Sequence, residues 1–315
     1  MKKSCFCITL SLLILCGCGS KSEISDTRFM LDTVVTLTAS CDEKAIDGAF
    51  SLCQNYENLL SRTVKGSDVY TLNSSTGETE VSSETAKIIE RSIYYSQLSD
   101  GKFDITIYPL SSIWNFSEQI VPSKDEIAEA LKNIDYQSIE INGDKVNLNG
   151  KKIDLGSIAK GYIADKVKDY LVENGAENGI VNLGGNVVVF GKEYTVGIRK
   201  PFSEDIAASI KVKDKSVVTS GIYERYIEEN GKFYHHVLDT KTGYGVENEL
   251  ASVTIIGDGS MDCDALSTVC LLSGTEKGLE IIENTEDFEA VFIDKNEKII
   301  LSSGLEIKND KITLK

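Results

Sequence analysis

Hydrophobic and polar positions alternate along some parts of the chain and recur at helical spacing along others. Alternation with β-branched residues predicts strands, whereas apolar side chains three or four residues apart predict amphipathic helices. The segments with helical spacing are 42–60, 83–98, 123–134, 158–172, 262–272 and 276–283. The segments with strand patterns are 32–39, the hairpins 138–148 and 179–190, several stretches between 194 and 256, 290–293 and 298–301.

Strands and helices follow one another irregularly, and hairpins interrupt their order. A doubly wound parallel sheet needs a regular alternation of strand and helix, so the pattern favours an α+β fold. We expect mixed or antiparallel sheets with flanking helices. No run of Gly, Ser or Pro after residue 25 marks an internal linker. The sequence therefore predicts one domain over residues 28–315.

The composition removes one large class of partner. The chain has 315 residues, a formal net charge of −16 and a pI near 4.7. It has no lysine or arginine cluster that could displace the counterions of a phosphate backbone, so we exclude nucleic-acid binding. Its hydrophobic content of 41% is ordinary for a folded soluble protein.

The N-terminus has the pattern of a bacterial lipoprotein precursor. Two lysines follow the initial methionine, and the apolar run 6–16 is too short to span a membrane, which needs about 20 apolar residues. The sequence LCGC at 15–18 resembles a lipobox. We expect a signal peptide over 1–17, lipidation at Cys18 and a polar tether over 18–27. The protein would then be lipid-anchored to the cell membrane on its extracytoplasmic face. An ordinary secretory signal and a short buried helix are the alternatives.

Several kinds of chemistry are absent. No G-x-x-x-x-G-K-[ST] and no G-x-G-x-x-G after a strand occurs, so P-loop and Rossmann sites are not supported. The only two histidines, His235 and His236, are adjacent in a predicted strand and would face opposite ways. They cannot both bind one metal ion there, which excludes a His-rich zinc site. Any metal would have oxygen ligands, as Mg²⁺ and Ca²⁺ do.

One pair of polar residues interrupts an otherwise apolar helix. Asp264 and Thr268 are four residues apart, so their side chains share one face of the helix 262–272. A carboxylate and a hydroxyl on one face can bind a hard cation. Asp262 or Asp264 could instead cap this helix, because aspartate is preferred at that position. The spacing alone leaves both interpretations open.

Seven ordered groups of residues resemble the motifs of the ApbE family of FAD:protein FMN transferases. The two clearest are DGKFDITIYPLSSIW at 100–114 and a central group made of IDLGSIAKGYIAD at 153–165 with VNLGGN at 181–186. The others lie at 29–37, 60–73, 217–226, 235–243 and 252–268. The resemblance covers essentially residues 28–275 and implies an ApbE-like fold around one central flavin site.

The resemblance also implies a reaction and roles for particular residues. The family moves FMN from FAD to a threonine hydroxyl of an acceptor protein and releases AMP, with Mg²⁺ as cofactor and FAD as substrate. By this resemblance, His236 is the general base; a hydrogen-bonded strand residue is its alternative role. Asp264 and Thr268 would bind the metal through their side chains, and Ser157 and Ser267 through their backbone carbonyls.

A set of residues is expected beside the flavin nucleotide on the same grounds. These residues are Leu31, Thr63, Lys102, Phe103, Asp104, Asp154, Lys160 and Leu238. The chain departs from the family pattern at three positions. Leu31 stands where methionine is usual, Thr63 where an aromatic residue is common, and Thr240 where proline is usual. We expect these departures to affect flavin affinity and not the reaction.

Two other functions remain open from the sequence. A magnesium-dependent FAD pyrophosphatase, giving FMN and AMP, would use the same site with water as the acceptor. A solute-binding lipoprotein would have two α/β lobes with a hinge, and would give no reason for the pair Asp264 and Thr268. For a transferase, the expected acceptors are flavin-carrying subunits of membrane redox complexes, such as Rnf or sodium-pumping NADH:quinone reductase.

Overall fold

The computed structural model describes residues 22–308 and 311–315; the predicted signal peptide and Cys18 lie outside the described residues. The helices are α1 Glu43–Leu60, α2 Asp68–Ser74, α3 Ser83–Leu98, α4 Tyr108–Ser111, α5 Lys124–Leu131, α6 Ala159–Glu173, α7 Ser260–Ser273 and α8 Thr275–Glu283. The first strands are β1 Glu23–Met30, β2 Thr33–Ser40, β3 Thr79–Glu80, β4 Glu140–Asn142, β5 Lys145–Asn147, β6 Gly179–Leu183 and β7 Asn186–Arg199. The remaining strands are β8 Ile206–Gly221, β9 Tyr226–Glu229, β10 Lys232–His235, β11 Leu250–Gly257, β12 Glu289–Asp294, β13 Ile299–Leu301, β14 Leu305–Lys308 and β15 Lys311–Leu314.

A ten-stranded sheet forms the centre of the fold. Its main path runs β1-β2-β6-β7-β8-β11-β12-β13 with antiparallel neighbours, and the hairpin β14–β15 joins it through a parallel contact with β8. Strands β9 and β10 form a separate hairpin, and β3, β5 and β4 form a small third sheet. The predicted α+β fold with mixed sheets and flanking helices is confirmed.

The first strand lies where we expected a tether. Strand β1 pairs with β2 along its whole length, so the described sheet begins at Glu23 and not at residue 28. The segment 23–27 therefore belongs to the folded part, and the predicted boundary is wrong there. An edge strand has few buried positions, and β1 is mostly exposed; it therefore carries little of the hydrophobic alternation that identifies a strand in a sequence.

Each face of the sheet has its own core, because alternate residues of its strands face opposite ways. On one face, residues such as Val253 and Phe292 pack with helix residues such as Phe50, Ile163 and Leu266. On the other face, Ile256 and Ile293 of β11 and β12 pack against Val196, Ile198 and Ile210. The last three belong to the long hairpin β7–β8, which folds across this face. Strand β11 is buried at every residue because both faces are covered.

The turns of two hairpins meet at one end of the sheet. The β1–β2 turn has positive φ at both Leu31 and Asp32, each 54°. It lies against the β6–β7 turn, where a Cβ on Gly184 would be 2.0 Å from the hydroxyl of Thr33. Gly185 of the same turn accepts the N–H of Thr219 from β8 at 3.3 Å. Most of the polar motifs singled out in the sequence lie at this end.

None of the helices in the described part of the chain is both long enough and apolar enough to cross a membrane.

Candidate active site

The site is built where the N-terminal turns of α6 and α7 touch. Gly161 lies in the first turn of α6, and an added Cβ would be 2.2 Å from the carbonyl oxygen of Ser260. No side chain fits at that distance, so glycine is required for the two helices to approach this closely. The contact brings the segment before α6 next to the polar face of α7.

Each of these helices receives its cap from the other. Asp165 of α6 accepts the N–H groups of Ser260 and Met261, at 2.8 and 2.9 Å. Asp264 of α7 accepts the N–H of Gly161 through Oδ2 at 2.9 Å. Helix N-termini leave unpaired N–H groups that carry partial positive charge, so each carboxylate stabilises the neighbouring helix.

The alternative that Asp262 or Asp264 caps its own helix is therefore wrong. Helix α7 begins at Ser260 after a Gly259 cap that makes no side-chain hydrogen bond. The carboxylate of Asp262 instead accepts Nε of Arg91 at 2.6 Å and the hydroxyl of Tyr95 at 2.8 Å, which ties α7 to α3.

A backbone oxygen just ahead of α6 is also available. The N-cap of α6 is Ile158, whose carbonyl accepts the first intrahelical bond, so the N–H of Gly161 is one of the unpaired donors of the first turn, and Asp264 accepts it. Ser157 precedes the N-cap, and no backbone donor reaches its carbonyl from within the described residues. Oδ1 of Asp264 is not needed for the cap either. Two oxygen acceptors thus lie close to one another at this junction.

The hydroxyl groups of α7 continue the same polar face. Ser267 donates to the Asp264 carbonyl at 2.8 Å, and its Oγ lies 2.7 Å from Oγ of Ser220 on β8. Oγ1 of Thr268 is 3.2 Å from the same Ser220 hydroxyl. The predicted pairing of Asp264 and Thr268 on one helix face is confirmed, and Ser220 joins them.

The groups around Asp264 act on the pKa of its carboxyl in opposite directions. Burial raises the pKa of its carboxyl, whereas Lys160, the Gly161 N–H and the nearby amide of Asn186 act to lower that pKa. Nδ2 of Asn186 is buried and has no hydrogen-bond partner among the described residues. The Asn186 amide can donate a hydrogen bond, whereas the Asp264 carboxylate and the Ser157 carbonyl can accept one or bind a cation. Together these groups suit a bound metal ion or polar ligand.

His236 is held by the backbone of one residue. Its N–H and its Nδ1 both lie close to the carbonyl oxygen of Arg225, at 3.1 and 3.2 Å. A carbonyl can only accept, so Nδ1 carries the proton and Nε2 keeps its lone pair. The ring also meets the Phe116 ring edge to face, with centroids 6.3 Å apart. His235 faces the other way and bonds to the Val246 carbonyl at 3.2 Å, as its position in the strand predicts.

The electrostatic setting of His236 favours the neutral imidazole. Burial by surrounding protein and the positive charges of Arg225 and Lys160 lower its pKa to about 3, although the ring keeps partial solvent exposure. Lys160 acts on both His236 and Asp264. The chain around Ser220 links the two groups: Ser220 bonds to Ser267 and Thr268 of α7, and Arg225, whose carbonyl holds His236, follows Ser220 by five residues.

Asp154 contacts the loop that precedes α2. Asp154 accepts the Gly156 N–H at 3.0 Å and the Ser111 hydroxyl at 3.1 Å, and Nε of Arg62 is 3.4 Å from its Oδ2. Thr63, next to Arg62, is exposed. Thr63 and Asp154 therefore lie close together, and an arginine that the sequence did not single out connects them.

Four predicted flavin-site residues have structural roles that the sequence did not indicate. The Phe103 side chain is buried in the main core against Tyr95. Both oxygens of Asp104 are used, by Thr106 and by the Tyr136 N–H at 3.0 Å, and burial raises the pKa of this carboxyl.

The other two lie at different places. Nζ of Lys102 reaches the Leu272 carbonyl at 3.4 Å, near the C-terminus of α7. Leu272 is eight residues from Asp264, about 12 Å along a helix. Leu238 is buried with Trp114 in a small cluster under the β9–β10 hairpin. Leu31 occupies the strained β1–β2 turn described above.

Comparison with known proteins decides the family. The sequence profile described as "ApbE family" matches residues 31–292. The chain belongs to the ApbE family. The FAD:protein FMN transferase of Klebsiella pneumoniae is 39% identical over 274 residues, covering 84% of this chain and 86% of that protein. The Treponema pallidum protein of the same name is 30% identical and covers 97% and 96%.

Solved ApbE structures agree with this assignment. The ApbE protein of Thermotoga maritima has a TM-score of 0.83 at 30% identity and covers 90% of this chain and 97% of its own. The flavin transferase ApbE of Vibrio cholerae has a TM-score of 0.78 at 25% identity, with the same two coverages. The family resemblance and the ApbE-like fold predicted from the motifs are both confirmed.

Sequence reasoning missed some residues that shape this ApbE site. Gly161, Ser220 and Arg225 lay inside motifs that resemble the family, but their separate roles depend on contacts with distant segments. Arg62 and Asn186 were not singled out either. Only Gly161 gave a usable signal, since a glycine in the first turn of a helix suggests a close backbone approach.

Proposed function

We propose that this chain transfers FMN from FAD to a threonine hydroxyl of an acceptor protein, forms a phosphoester and releases AMP. The observation that carries the proposal is the grouping of polar residues at the junction of α6 and α7. Asp264 caps Gly161, next to Lys160, and Ser220 bonds to Ser267 and Thr268 of α7. Five residues after Ser220, the Arg225 carbonyl holds His236 with its Nε2 free. A phosphoryl transfer needs a proton acceptor and positive charge at just such a site.

Mg²⁺ fits the oxygen groups around Asp264. The free oxygen of Asp264, the unbonded carbonyl of Ser157 and the Thr268 hydroxyl are the groups that would hold it, with the second lone pair of the Ser267 carbonyl as a further ligand. Among the described residues no cluster of three or more His, Cys, Asp or Glu could hold a metal. This agrees with Mg²⁺, which takes one or two carboxylates and completes its shell with substrate phosphates and water. When bound, the ion neutralises pyrophosphate charge.

The chain's own residues supply the remaining steps. The acceptor hydroxyl gives its proton to Nε2 of His236 as its oxygen forms a bond to the FMN phosphorus. The bond from that phosphorus to the bridging oxygen breaks, and AMP leaves with the electron pair. Lys160 and the N-terminal turn of α6 stabilise the negative charge that builds up on the phosphates. Asp154 and Thr63 lie where the flavin nucleotide would bind.

The competing functions differ in their support. Water in place of threonine would give an FAD pyrophosphatase at the same site, so only activity measurements separate these two. A solute-binding lipoprotein would need two lobes around a hinge, whereas one sheet of ten strands runs through the described fold. The continuous sheet favours the enzyme.

The proposal also covers where the enzyme is located and which proteins accept the FMN. A lipid anchor at Cys18 would hold the enzyme on the extracytoplasmic face of the cell membrane. Acceptors there would be flavin-carrying subunits of membrane redox complexes of the Rnf or sodium-pumping NADH:quinone reductase type. The support for the anchor is the lipobox at 15–18, and the support for a protein acceptor is the name of the relatives, FAD:protein FMN transferase.

The test incubates the full-length chain with FAD, Mg²⁺ and the extracytoplasmic flavin-carrying subunit of an Rnf-type complex. We expect flavin fluorescence on the acceptor band in a denaturing gel, with release of AMP. Free FMN and AMP without a labelled acceptor would instead identify a pyrophosphatase. FAD binding without any product would contradict both enzymatic functions. Omitting Mg²⁺ is the matched control.

A further inference from the structure

An exposed group of aromatic rings lies on the β9–β10 hairpin that leads into His236, on the face opposite the His236 ring. Phe202, Tyr226 and Phe233 are 54%, 40% and 37% exposed. The Phe233 ring is 4.8 Å from that of Tyr226 and 5.6 Å from that of Phe202. Ile206, 65% exposed, follows the same loop as Phe202. These four residues are called the aromatic patch below.

The patch is joined to the site through the β9–β10 hairpin. Tyr226 directly follows Arg225, whose carbonyl holds His236, and Phe233 precedes His236 by three residues. At about 3.3 Å per residue of extended chain, the Cα atoms of Phe233 and His236 lie within about 10 Å of each other. The patch occupies the His235 face of the hairpin, while His236 faces the other way.

The loop that carries Phe202 is held in a strained shape. Phe202 has φ of +58°, a left-handed conformation that is rare and strained for a bulky residue. One side-chain bond and one backbone bond hold the loop: Arg199 Nε donates to the Ser203 carbonyl at 2.7 Å, and the Lys200 N–H donates to the Asp205 carbonyl at 2.8 Å. The loop therefore presents its ring to solvent without further ordering, which favours binding.

We propose that the aromatic patch is the docking surface for the acceptor protein. The proposal rests on the proposed function, since a protein acceptor must bring a hydroxyl to His236. A standard interface covers about 800 Å² on each partner, a disc with a radius of about 16 Å. An acceptor with a footprint of this size that reaches His236 would extend past the edge of the two-stranded hairpin and cover residues about 10 Å away on its other face. Exposed aromatic side chains are the residue type that contributes most binding energy at such interfaces.

The position of the patch disfavours the membrane as its occupant. Strand β1 enters the fold at Glu23, where it pairs with Ser40 and contacts Tyr194. The β1–β2 turn is at the opposite end of β1, about 24 Å from Glu23. The patch lies at the same end of the sheet as this turn, where Phe202 contacts Tyr223. A lipid attached at Cys18, five residues ahead of Glu23, would therefore join the fold at the end of the sheet opposite the patch.

The test uses a variant that removes a ring without harming the fold. Phe202→Asn deletes the ring and places a residue that tolerates positive φ, so the fold should be as stable or more so. With the full-length chain, FAD, Mg²⁺ and the Rnf-type acceptor subunit, we expect the KM for the acceptor to rise roughly tenfold or more. FAD affinity and the rate at saturating acceptor should be unchanged. Phe233→Ser should act in the same direction.

Ile307→Ser is the control, because Ile307 is 57% exposed on β14, outside the patch. An unchanged acceptor KM in both patch variants, with normal transfer by the wild type, would overturn the docking surface and leave the proposed function standing. A wild-type dimer that Phe202→Asn dissociates would overturn it in favour of self-association. Absence of any transfer by the wild type would remove the proposed function and the docking surface together.

Discussion

The carboxylate of Asp264 accepts the backbone N–H of Gly161 at 2.9 Å, although 103 residues separate them in the chain. This bond gives one carboxylate two tasks. Oδ2 caps α6, and Oδ1 remains for a ligand. The Ser157 carbonyl, just ahead of the N-cap of α6, accepts no backbone N–H within the described residues and offers a second oxygen. Stability and metal binding are therefore linked at Asp264, and substitutions can separate them.

Asp264→Asn should abolish Mg²⁺-dependent transfer while leaving the fold nearly as stable as the wild type. The amide oxygen can still accept the Gly161 N–H, but the negative charge that would hold the cation is gone. Asp264→Ala should lose activity and also about 0.5–2 kcal/mol of stability, because the cap is lost. Urea unfolding without metal and flavin measures the difference. Equal destabilisation by both changes would argue that the carboxylate serves only the fold.

Gly161→Ala should destabilise the protein by about 1–3 kcal/mol and lower activity. Its Cβ would lie 2.2 Å from the Ser260 carbonyl, so α6 and α7 must separate and the bond to Asp264 must lengthen. Gly77→Ala is the control, since a Cβ at Gly77 meets nothing within 4 Å. Thermal unfolding and transfer rates of both variants check the prediction; a Gly161→Ala protein of wild-type stability would contradict the close packing.

The sequence indicated parts of this site and could not indicate others. The shared helix face of Asp264 and Thr268 follows from spacing alone, and so does the opposite orientation of the two histidines. The cap on Gly161 depends on a tertiary contact that no local pattern encodes. Phe103 illustrates the reverse case, since a residue inside a family motif serves the core. Strand β1 was missed because an edge strand exposes most of its residues.

Cys18→Ala should leave an unprocessed precursor that carries no lipid. The thiol of Cys18 is the attachment point that the lipobox pattern predicts. A single acyl chain gives only marginal membrane binding, and a second chain makes the attachment stable. Fractionation of cells and mass measurement of the mature chain check this. Cys16→Ala, within the same motif, is the matched control and should still be processed at residue 18. Normal maturation of Cys18→Ala would contradict the lipoprotein assignment.

Arg225→Gln should raise the pKa of His236. Burial is the largest cause of its low pKa and the charge of Arg225 the next, so the pKa should rise but stay below the ordinary value of 6.5. The backbone bond that orients the ring does not depend on the side chain and should remain. The acidic limb of kcat/KM for FAD, which reports the free enzyme, should therefore move to higher pH. An acidic limb at the same pH in wild type and variant would mean that the guanidinium does not act on the imidazole.

His236→Ala should slow transfer by about 10²–10⁴-fold while FAD and Mg²⁺ still bind. In the proposed mechanism the unbonded Nε2 takes the proton of the acceptor hydroxyl, whereas the ring makes its only hydrogen bond within the described residues through Nδ1 to the Arg225 carbonyl. A role in flavin packing would weaken FAD binding together with the rate. His235→Ala is the control for local damage, because His235 points away and bonds to Val246. FAD affinity and single-turnover transfer rates should be measured for both variants. If His236→Ala transferred FMN as fast as the wild type, the histidine would not be the base, and Asp239, three residues further along the chain, would be the next residue to test.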